Sequence, residues 1–437
     1  VAEVGELVEV AIERLGAQGD GIAQLGPIRV FVPLALPGER WRVRLAARRA
    51  EGFAATPVAA LGAAPRPPAP CRHFGACGGC QLQHLAAADY AAWQRDMVLE
   101  ALARRGLKDV PVALPESAPP AARRRVRLAF AARSGKVRLG FRVRAGHDLV
   151  EVEECPVARP EIVALLPALR RLLAAPALAG HGGEVQITAC ASGLDVLLTS
   201  AGAPGLAERE ALAGFAAAQD LARLAWRPDA RTAAEPIVAR CPAAVEFAGV
   251  KVALPPGAFL QATSLAEDAI RSAVEAALGP AMGAGRALAD LFAGCGTLGL
   301  PLAAAGARVL AVDADLPMLA AAARAARQAG FGARFRTAAR DLERAPLAGA
   351  ELAGLDAVVL DPPRTGARAQ AAALAESRVP RIALVSCNPA SFARDARTLI
   401  DGGCRLLRVQ PIDAFLWSSQ IELVGAFERP HRAPRTA

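Results

Sequence analysis

A thiol stands at the end of an apolar run in RIALVSCNPA, residues 381–390. Ile382–Val385 read as a buried strand, with Ser386 and Cys387 as its last steps. Asn388-Pro389 then forces a turn, because proline fixes its own φ and restricts the residue before it. A cysteine held there is displayed rather than packed. Upstream, LADLFAGCGTLGL (288–300) sets a strand before a Gly-rich turn and a helix. Gly294 and Gly296 let the backbone approach a ligand closely. G-C-G-T-L-G also fits the dinucleotide spacing G-x-G-x-x-G, so spacing alone does not separate nicotinamide from S-adenosylmethionine. Asp313, in VLAVDAD, ends the next strand, where a carboxylate can accept both hydroxyls of a ribose. Asp361, in VVLDPPRTG, ends another. Nicotinamide enzymes have no standard need for D-P-P, so the combination favours a methyl donor.

A thiol beside a methyl donor suggests pyrimidine chemistry. The C5 carbon of a pyrimidine does not attack a sulfonium methyl unaided. A thiolate added at C6 makes C5 an enolate-like nucleophile, which takes the methyl group. A base then removes the C5 proton and the thiolate leaves by elimination. Four of the five histidines precede residue 182, and His431 sits in an Arg/Pro-rich tail. The base is therefore sought among carboxylates. Glu422, in WSSQIELVGAF, enters the last apolar strand. In a desolvated setting its pKa would rise into the range of a general base; otherwise it is a solvated strand flank.

These residues need elements to position them. From residue 285 the chain alternates strand and helix signals, which predicts a doubly wound sheet with ligands at the C-terminal ends of its strands. Residues 1–60 contain five short apolar runs separated by Gly, Pro and Asp, the pattern of a small OB-type barrel. A Pro/Ala linker follows at 61–70. Residues 83–105 and 161–174 read as helices, 123–130 and 136–144 as strands. The 437 residues suffice for two or three domains. The expected architecture is multidomain α/β: a barrel over 1–62, a central α+β domain over 63–250, and a catalytic domain over 251–437. The helix at 83–105 is expected to pack on the catalytic domain.

DLFAGCGTLGL, VLDPPRTG and VSCNPASF stand in the order and spacing of the RNA uracil-5-methyltransferases. Over essentially its whole length the chain resembles the branch of that family with an N-terminal TRAM domain and an iron–sulfur cluster. The resemblance implies a Rossmann-like class I methyltransferase domain, with Cys387 as nucleophile and Glu422 as base. It implies S-adenosylmethionine contacts from Gln261 (in GAFLQATS), Phe292, Thr297, Asp313, Asp341 and Asp361, the last also orienting the uracil. Many members precede the base with T-x-H-x-E; here WSSQIE puts Gln420 in place of the histidine. Thr297 replaces an asparagine common in some members. RNA cytosine-C5 enzymes carry a second cysteine after the D-x-P motif, whereas Arg364 follows D-P-P here, which argues against cytosine.

Nine cysteines are unevenly spread. Cys71-x5-Cys77-x2-Cys80 needs a fourth ligand, and Cys155, followed by Pro156, is the best candidate. Four thiolates suit zinc or an iron–sulfur cluster, and His73 or His84 could complete a zinc site. The Cys-Pro step and the resemblance favour a [4Fe-4S] cluster with a structural and RNA-shaping role. Cys190, Cys241 and Cys404 read as small buried residues. Cys295 lies within the Gly-rich turn.

A net charge of +9 favours a polyanionic partner such as RNA. Arg123–Arg125, Arg127, Arg142 and Arg144 lie on expected strands, where guanidinium groups can meet phosphates. Aromatics make up 4% of the chain, so base stacking rests on few residues. A uracil in structured RNA must be flipped out to reach Cys387. No apolar stretch reaches membrane-spanning length, the first residues do not read as a signal peptide, and the clustered cysteines suit a reducing compartment. A cytoplasmic enzyme with no obligate protein partner is expected. Within the resemblance, 23S rRNA is favoured and tRNA stays open. Two other classes remain: a non-catalytic RNA-binding protein, supported only by WSSQIE, and an iron–sulfur oxidoreductase using a nicotinamide.

Overall fold

The computed structural model describes residues 2–62, 66–133, 136–178 and 180–430. The five expected N-terminal strands form: β1 (Leu7–Leu15), β2 (Gly21–Leu25), β3 (Ile28–Val32), β4 (Arg40–Arg49) and β5 (Gly52–Gly62). They close into a barrel in the order β1-β2-β3-β5-β4. The two-residue period of a strand sorts the side chains. In β1, Val10 and Ile12 are buried while Glu9, Ala11 and Glu13 face solvent. Val30, Val32, Val43, Leu45 and Phe53 complete the barrel core. Of the expected linker 61–70, residues 63–65 lie outside the described residues.

Next come α1 (Ala87–Ala103), the short β6 (Glu116–Ser117), β7 (Arg125–Arg133), β8 (Lys136–Arg142), β9 (Leu149–Glu151) and α2 (Pro160–Ala174). They are followed by β10 (Gly182–Cys190), β11 (Gly193–Ser200), α3 (Leu206–Ala218), β12 (Arg223–Arg227) and β13 (Glu235–Ala239). A seven-stranded sheet runs β13-β12-β11-β10-β7-β8-β9. Leu165, Leu169 and Leu173 of α2 and Leu212 of α3 pack with Leu128, Ile187, Leu198 and Trp226 of that sheet. Helix α1 goes elsewhere. Its Met97, Val98 and Leu102 join the core of the C-terminal sheet, where β6 also adds a strand.

The C-terminal part opens with a hairpin, β14 (Ala244–Phe247) and β15 (Val250–Ala253), and α4 (Ser264–Leu278). Then follow β16 (Ala287–Leu291), α5 (Gly299–Ala304), β17 (Arg308–Asp313), α6 (Leu316–Gln328), β18 (Phe335–Ala339), β19 (Ala357–Leu360) and α7 (Arg368–Glu376). The last elements are β20 (Arg381–Ser386), α8 (Pro389–Asp401), β21 (Arg405–Asp413) and β22 (Glu422–Glu428). The sheet order is β18-β17-β16-β19-β20-β22-β21-β6. Its central parallel strands β19 and β20, buried on both faces, read as continuous apolar runs, AVVL and IALV. β22 inserts antiparallel beside β20. The order reverses between β16 and β19, and the crevice above that point is where such sheets bind ligands. The expected break at 250/251 falls inside the hairpin, whose Val245, Phe247, Val250 and Val252 all pack in the catalytic core.

Candidate active site

The Gly-rich turn begins where β16 ends. Phe292 adopts a φ of +62°, and the N–H groups of Phe292 and Ala293 both donate to the Val312 carbonyl, at 2.9 and 3.1 Å. This doubled tie holds the turn against β17. Asp313 at the end of β17 then accepts from the N–H of Gly294 at 2.8 Å and of Asp315 at 2.8 Å. Gly296, at φ +84°, stands behind the turn: a Cβ there would lie 2.7 Å from Leu300. Its need for glycine is conformational and steric.

Two further turns meet this one. The Asp361 N–H donates to the Leu291 carbonyl at 3.1 Å, and Gln261 Nε2 donates to Asp361 Oδ2 at 3.3 Å. Asn388 caps α8 by accepting from the Ala390 N–H at 3.0 Å. Its Nδ2 donates to the Arg364 carbonyl at 3.2 Å. One side chain therefore ends the thiol-bearing strand, starts the next helix and ties the D-P-P-R turn beside it. Cys387 is held between Ser386, whose Oγ donates to the Asn388 carbonyl at 3.2 Å, and this cap.

The three turns wall a cavity of about 740 Å³. Cys387, Glu422, Gln261, Phe292, Gly294, Thr297, Asp313, Asp341 and Asp361 all line it, and Gly296 does not. The cavity is rich in acids within a basic chain. Burial, then the nearby Asp361 charge, pushes Glu422 up to about 8. Burial, with Asp313 adding to it and the Gln261 hydrogen bond opposing, pushes Asp361 up to about 7. Burial followed by the charges of Glu422 and Asp361 pushes the Cys387 thiol up to about 11, with Arg364 opposing. Acids that hold protons near neutrality surround a space suited to a cationic ligand, whose charge would favour their ionised forms.

Asp290 belongs to this group, although no site role was expected for it. It is 1% exposed and neither carboxylate oxygen has a hydrogen-bond partner. Burial, then Asp361, raises it to about 8, with the Gly299 backbone opposing. Its sequence signal was a carboxylate inside the apolar strand LADLF.

The four candidate cluster cysteines lie on neighbouring segments. Cys77 bridges to Val143, and the Arg72 N–H donates to Glu154 Oε1 at 3.0 Å, which brings the 71–80 segment to Cys155. Burial first, then the other three thiols, raises Cys80 to about 12. Among the described residues no three His, Cys, Asp or Glu side chains are close enough to hold one metal ion. His84 is buried with Nε2 3.0 Å from the Leu34 carbonyl, and so is committed to the barrel. Cys404 is buried as expected, while Cys190 and Cys241 are only half-buried; Cys295, in the Gly-rich turn, is buried.

The arginine strip divides. Arg124 points inward, contrary to a phosphate-binding role: it is 5% exposed, pairs with Glu267 and donates Nε to the Gln261 carbonyl at 3.2 Å. Arg125 lies 4.6 Å over the Phe259 ring and Arg123 5.3 Å over Phe415. Phe259 is 57% exposed and lines the cavity. Arg144 pairs with Asp20 of the barrel at 2.7 Å.

No protein-family model matches the chain. Over 433 residues it is 43% identical to an uncharacterized RNA methyltransferase of Caulobacter vibrioides, covering 96% of this chain and 100% of that one. The chain belongs to the RNA methyltransferase family. This methyltransferase is also 34% identical over 447 residues to RlmD of Halomonas elongata, a 23S rRNA (uracil(1939)-C(5))-methyltransferase, covering 98% of this chain and 90% of that one. Its fold matches that of the Pyrococcus abyssi tRNA (uracil-54, C5)-methyltransferase bound to S-adenosyl-L-homocysteine. The TM-score is 0.72 over 96% of this chain and 100% of that one, at 20% identity. Among the described residues no helix of the methyltransferase is long and apolar enough to cross a membrane.

Proposed function

We propose that this methyltransferase transfers a methyl group from S-adenosylmethionine to C5 of a uridine in RNA, through a covalent adduct between Cys387 and uracil C6. The observation that carries the reading is one cavity bordered by a displayed thiol, a desolvated glutamate and a Gly-rich turn with its ribose-type carboxylate. Asp313 and the Phe292–Gly294 backbone would hold the donor's nucleoside, with Gln261, Thr297 and Asp341 around it. The two unpartnered oxygens of Asp290 offer acceptors for a cationic group. Bound there, the donor would supply an electrophilic methyl.

The protein's own steps follow. The Cys387 thiol gives its proton to solvent water and sulfur adds to C6, which places a negative charge on the C4 oxygen and makes C5 nucleophilic. Asp361, in reach of Gln261, orients the uracil ring. After C5 has gained its methyl group, Glu422 takes the C5 proton and the C6–sulfur bond breaks, returning the thiolate. Glu422 suits that step because its raised pKa makes it a stronger base than an exposed carboxylate.

We assign 23S rRNA as the substrate, supported by the named relative at 34% identity over almost the whole chain; tRNA is the second reading, supported by the fold match alone. The cytoplasm is the compartment that goes with either RNA. The N-terminal barrel acts as a TRAM-type RNA surface. Cys71, Cys77, Cys80 and Cys155 hold a [4Fe-4S] cluster. The support is the Cys155-Pro156 step and the contacts that bring the 71–80 segment beside it. A cluster there would staple the 71–80 segment to the central sheet.

The test is covalent trapping. Fluorine at C5 cannot leave as a proton, so RNA containing 5-fluorouridine should arrest the reaction. Incubation with S-adenosylmethionine and substituted 23S rRNA should give a methylated adduct on the Cys387 peptide by mass spectrometry. Cys387→Ala should give none while binding S-adenosylhomocysteine within about twofold of wild type, since the thiol touches the base rather than the nucleoside. Adduct with substituted tRNA alone would move the substrate to tRNA. No adduct with either RNA would overturn the mechanism.

A further inference from the structure

Glu422 is the first residue of β22, and its pKa is set by burial and Asp361 with no hydrogen bond contributing. Its place therefore depends on backbone: the pairing with Ile412 and residues 414–421, which lead into it. That connection has two bonds of its own, from the Ser418 N–H to the Phe415 carbonyl at 2.9 Å and from the Gln420 N–H to Ser418 Oγ at 3.1 Å, and neither holds Trp417. Trp417 sits at φ +61°, a region that bulky residues seldom adopt and that persists only where surroundings over-determine it. The surroundings come from the other end of the chain. The N–H groups of Gln81 and Leu82 both donate to the Trp417 carbonyl, at 2.8 and 3.0 Å. Gln81 Oε1 accepts from the Ser419 N–H at 3.2 Å, and its Nε2 donates to the Gly78 carbonyl at 2.8 Å. From α1, the Tyr90 hydroxyl donates to the Ser418 carbonyl at 3.1 Å, and Gln94 Nε2 donates to the Tyr90 oxygen at 2.9 Å.

We infer that Gln81 is a positioning residue for Glu422, clamping residues 414–421 to the turn that ends at Cys80, so that the cysteine-rich segment sets the geometry of proton removal. The inference rests on the reading of Glu422 as the base. It gives a physical account of the WSSQIE departure. With Gln420 where a histidine is common, the hold on the base comes from the 78–82 segment and α1. Gln81 is 8% exposed and couples both of its side-chain polar atoms to backbone, so it transmits displacement from one segment to the other.

The test separates proton removal from binding. Gln81→Met keeps chain length and loses both side-chain bonds. On an unmodified 23S rRNA transcript its kcat should fall about tenfold, the scale of one lost buried hydrogen bond. The KM for RNA and the affinity for S-adenosylhomocysteine should stay within about twofold, because the cavity walls that bind are untouched. A methylated RNA–protein adduct should build up on ordinary uridine and survive a denaturing gel, because addition and methylation outrun elimination. Tyr90→Phe cuts the α1 tie without touching the cysteine-rich segment. It should show the same adduct with a smaller kcat loss; where Gln81→Met does not fold, Gln81→Glu, which keeps the acceptor for the Ser419 N–H and loses the donor to Gly78, carries the same two readouts. Full kcat in the folded variant, or kcat loss without adduct, overturns the positioning role. Absence of any 5-fluorouridine adduct in wild type removes the reading beneath it instead.

Discussion

Replacing Glu422 by Gln should give a stability advantage over wild type that grows with pH, while stopping turnover. In the fold the carboxyl titrates at about 8, against an ordinary 4.5. The folded state thus keeps a proton that the unfolded chain has released. For a group whose pKa is raised by folding, the stabilisation is complete below the unfolded value and is lost as pH climbs through the folded one. At about 1.4 kcal/mol per pKa unit, the full window is worth about 5 kcal/mol. About 3 kcal/mol of it falls between about pH 5.5 and about pH 8.5. The glutamine side chain has the same shape and no proton to hold, so the variant should gain about 3 kcal/mol on wild type across that interval. Asp361, whose charge raises Glu422, is freed of that repulsion in the variant, which adds to the gain at the upper end of the interval. Amide hydrogen exchange of β20 and β22, compared between the two proteins at each pH, reads the gain where Glu422 sits. A difference that stays constant with pH would refute the desolvated-carboxyl argument, and with it the reason for preferring Glu422 as the base. The same variant should retain a methylated RNA adduct on Cys387.

Other consequences are more local. Asp313→Asn removes the charge behind two hydrogen bonds at 2.8 Å and should weaken S-adenosylhomocysteine binding about 10- to 100-fold by calorimetry. Arg124→Ala strands a buried Glu267 and the Gln261 carbonyl, which should cost about 3–5 kcal/mol in denaturant unfolding. Arg124→Met combined with Glu267→Met should recover most of that loss. Gly299→Ala would put a Cβ 2.6 Å from Asp290 Oδ2. It should cost about 1–3 kcal/mol and reduce S-adenosylhomocysteine affinity in the same preparation.

What was legible in the chain was whatever local chemistry dictates. The central strands β19 and β20 announced themselves as unbroken apolar runs, and Asn388-Pro389 marked the strand-to-helix turn that the structure builds. The barrel strands showed their alternation directly. Helix α4 was not anticipated although its N-cap is conventional: the Thr263 side chain accepts from the Ala266 N–H. The breaker Pro255-Pro256-Gly257 lies only seven residues before it, and the apolar residues between blur where the helix starts. β18 was also missed, because FRTAA buries only one large side chain and owes its strand to pairing with β17. Arg124 looked like its neighbours because alternation along a strand shows that one arginine differs in direction, but not that a partner waits on that side. Gly296 shares a motif with Gly294, and only tertiary packing against Leu300 separates the turn-former from the cavity wall.

The acid cluster also bears on when the site becomes reactive. At neutral pH a thiol near 11 and a glutamate near 8 are both mostly protonated, yet the proposed chemistry needs a thiolate first and a carboxylate later. Each negative charge raises the other group, so neither form is favoured while the cavity holds only its own acids. A cation among them reverses the balance, because an opposite charge within a few ångströms favours ionised forms. A sulfonium donor carries that charge, and uracil closing the cavity would strengthen its effect by excluding water. The thiol is then readied only when both substrates are in place. Once its sulfur has bonded to C6, one of the charges opposing Glu422 ionisation is gone. On the proposed mechanism, the raised pKa values would keep the thiol protonated between turnovers until the ligands release it.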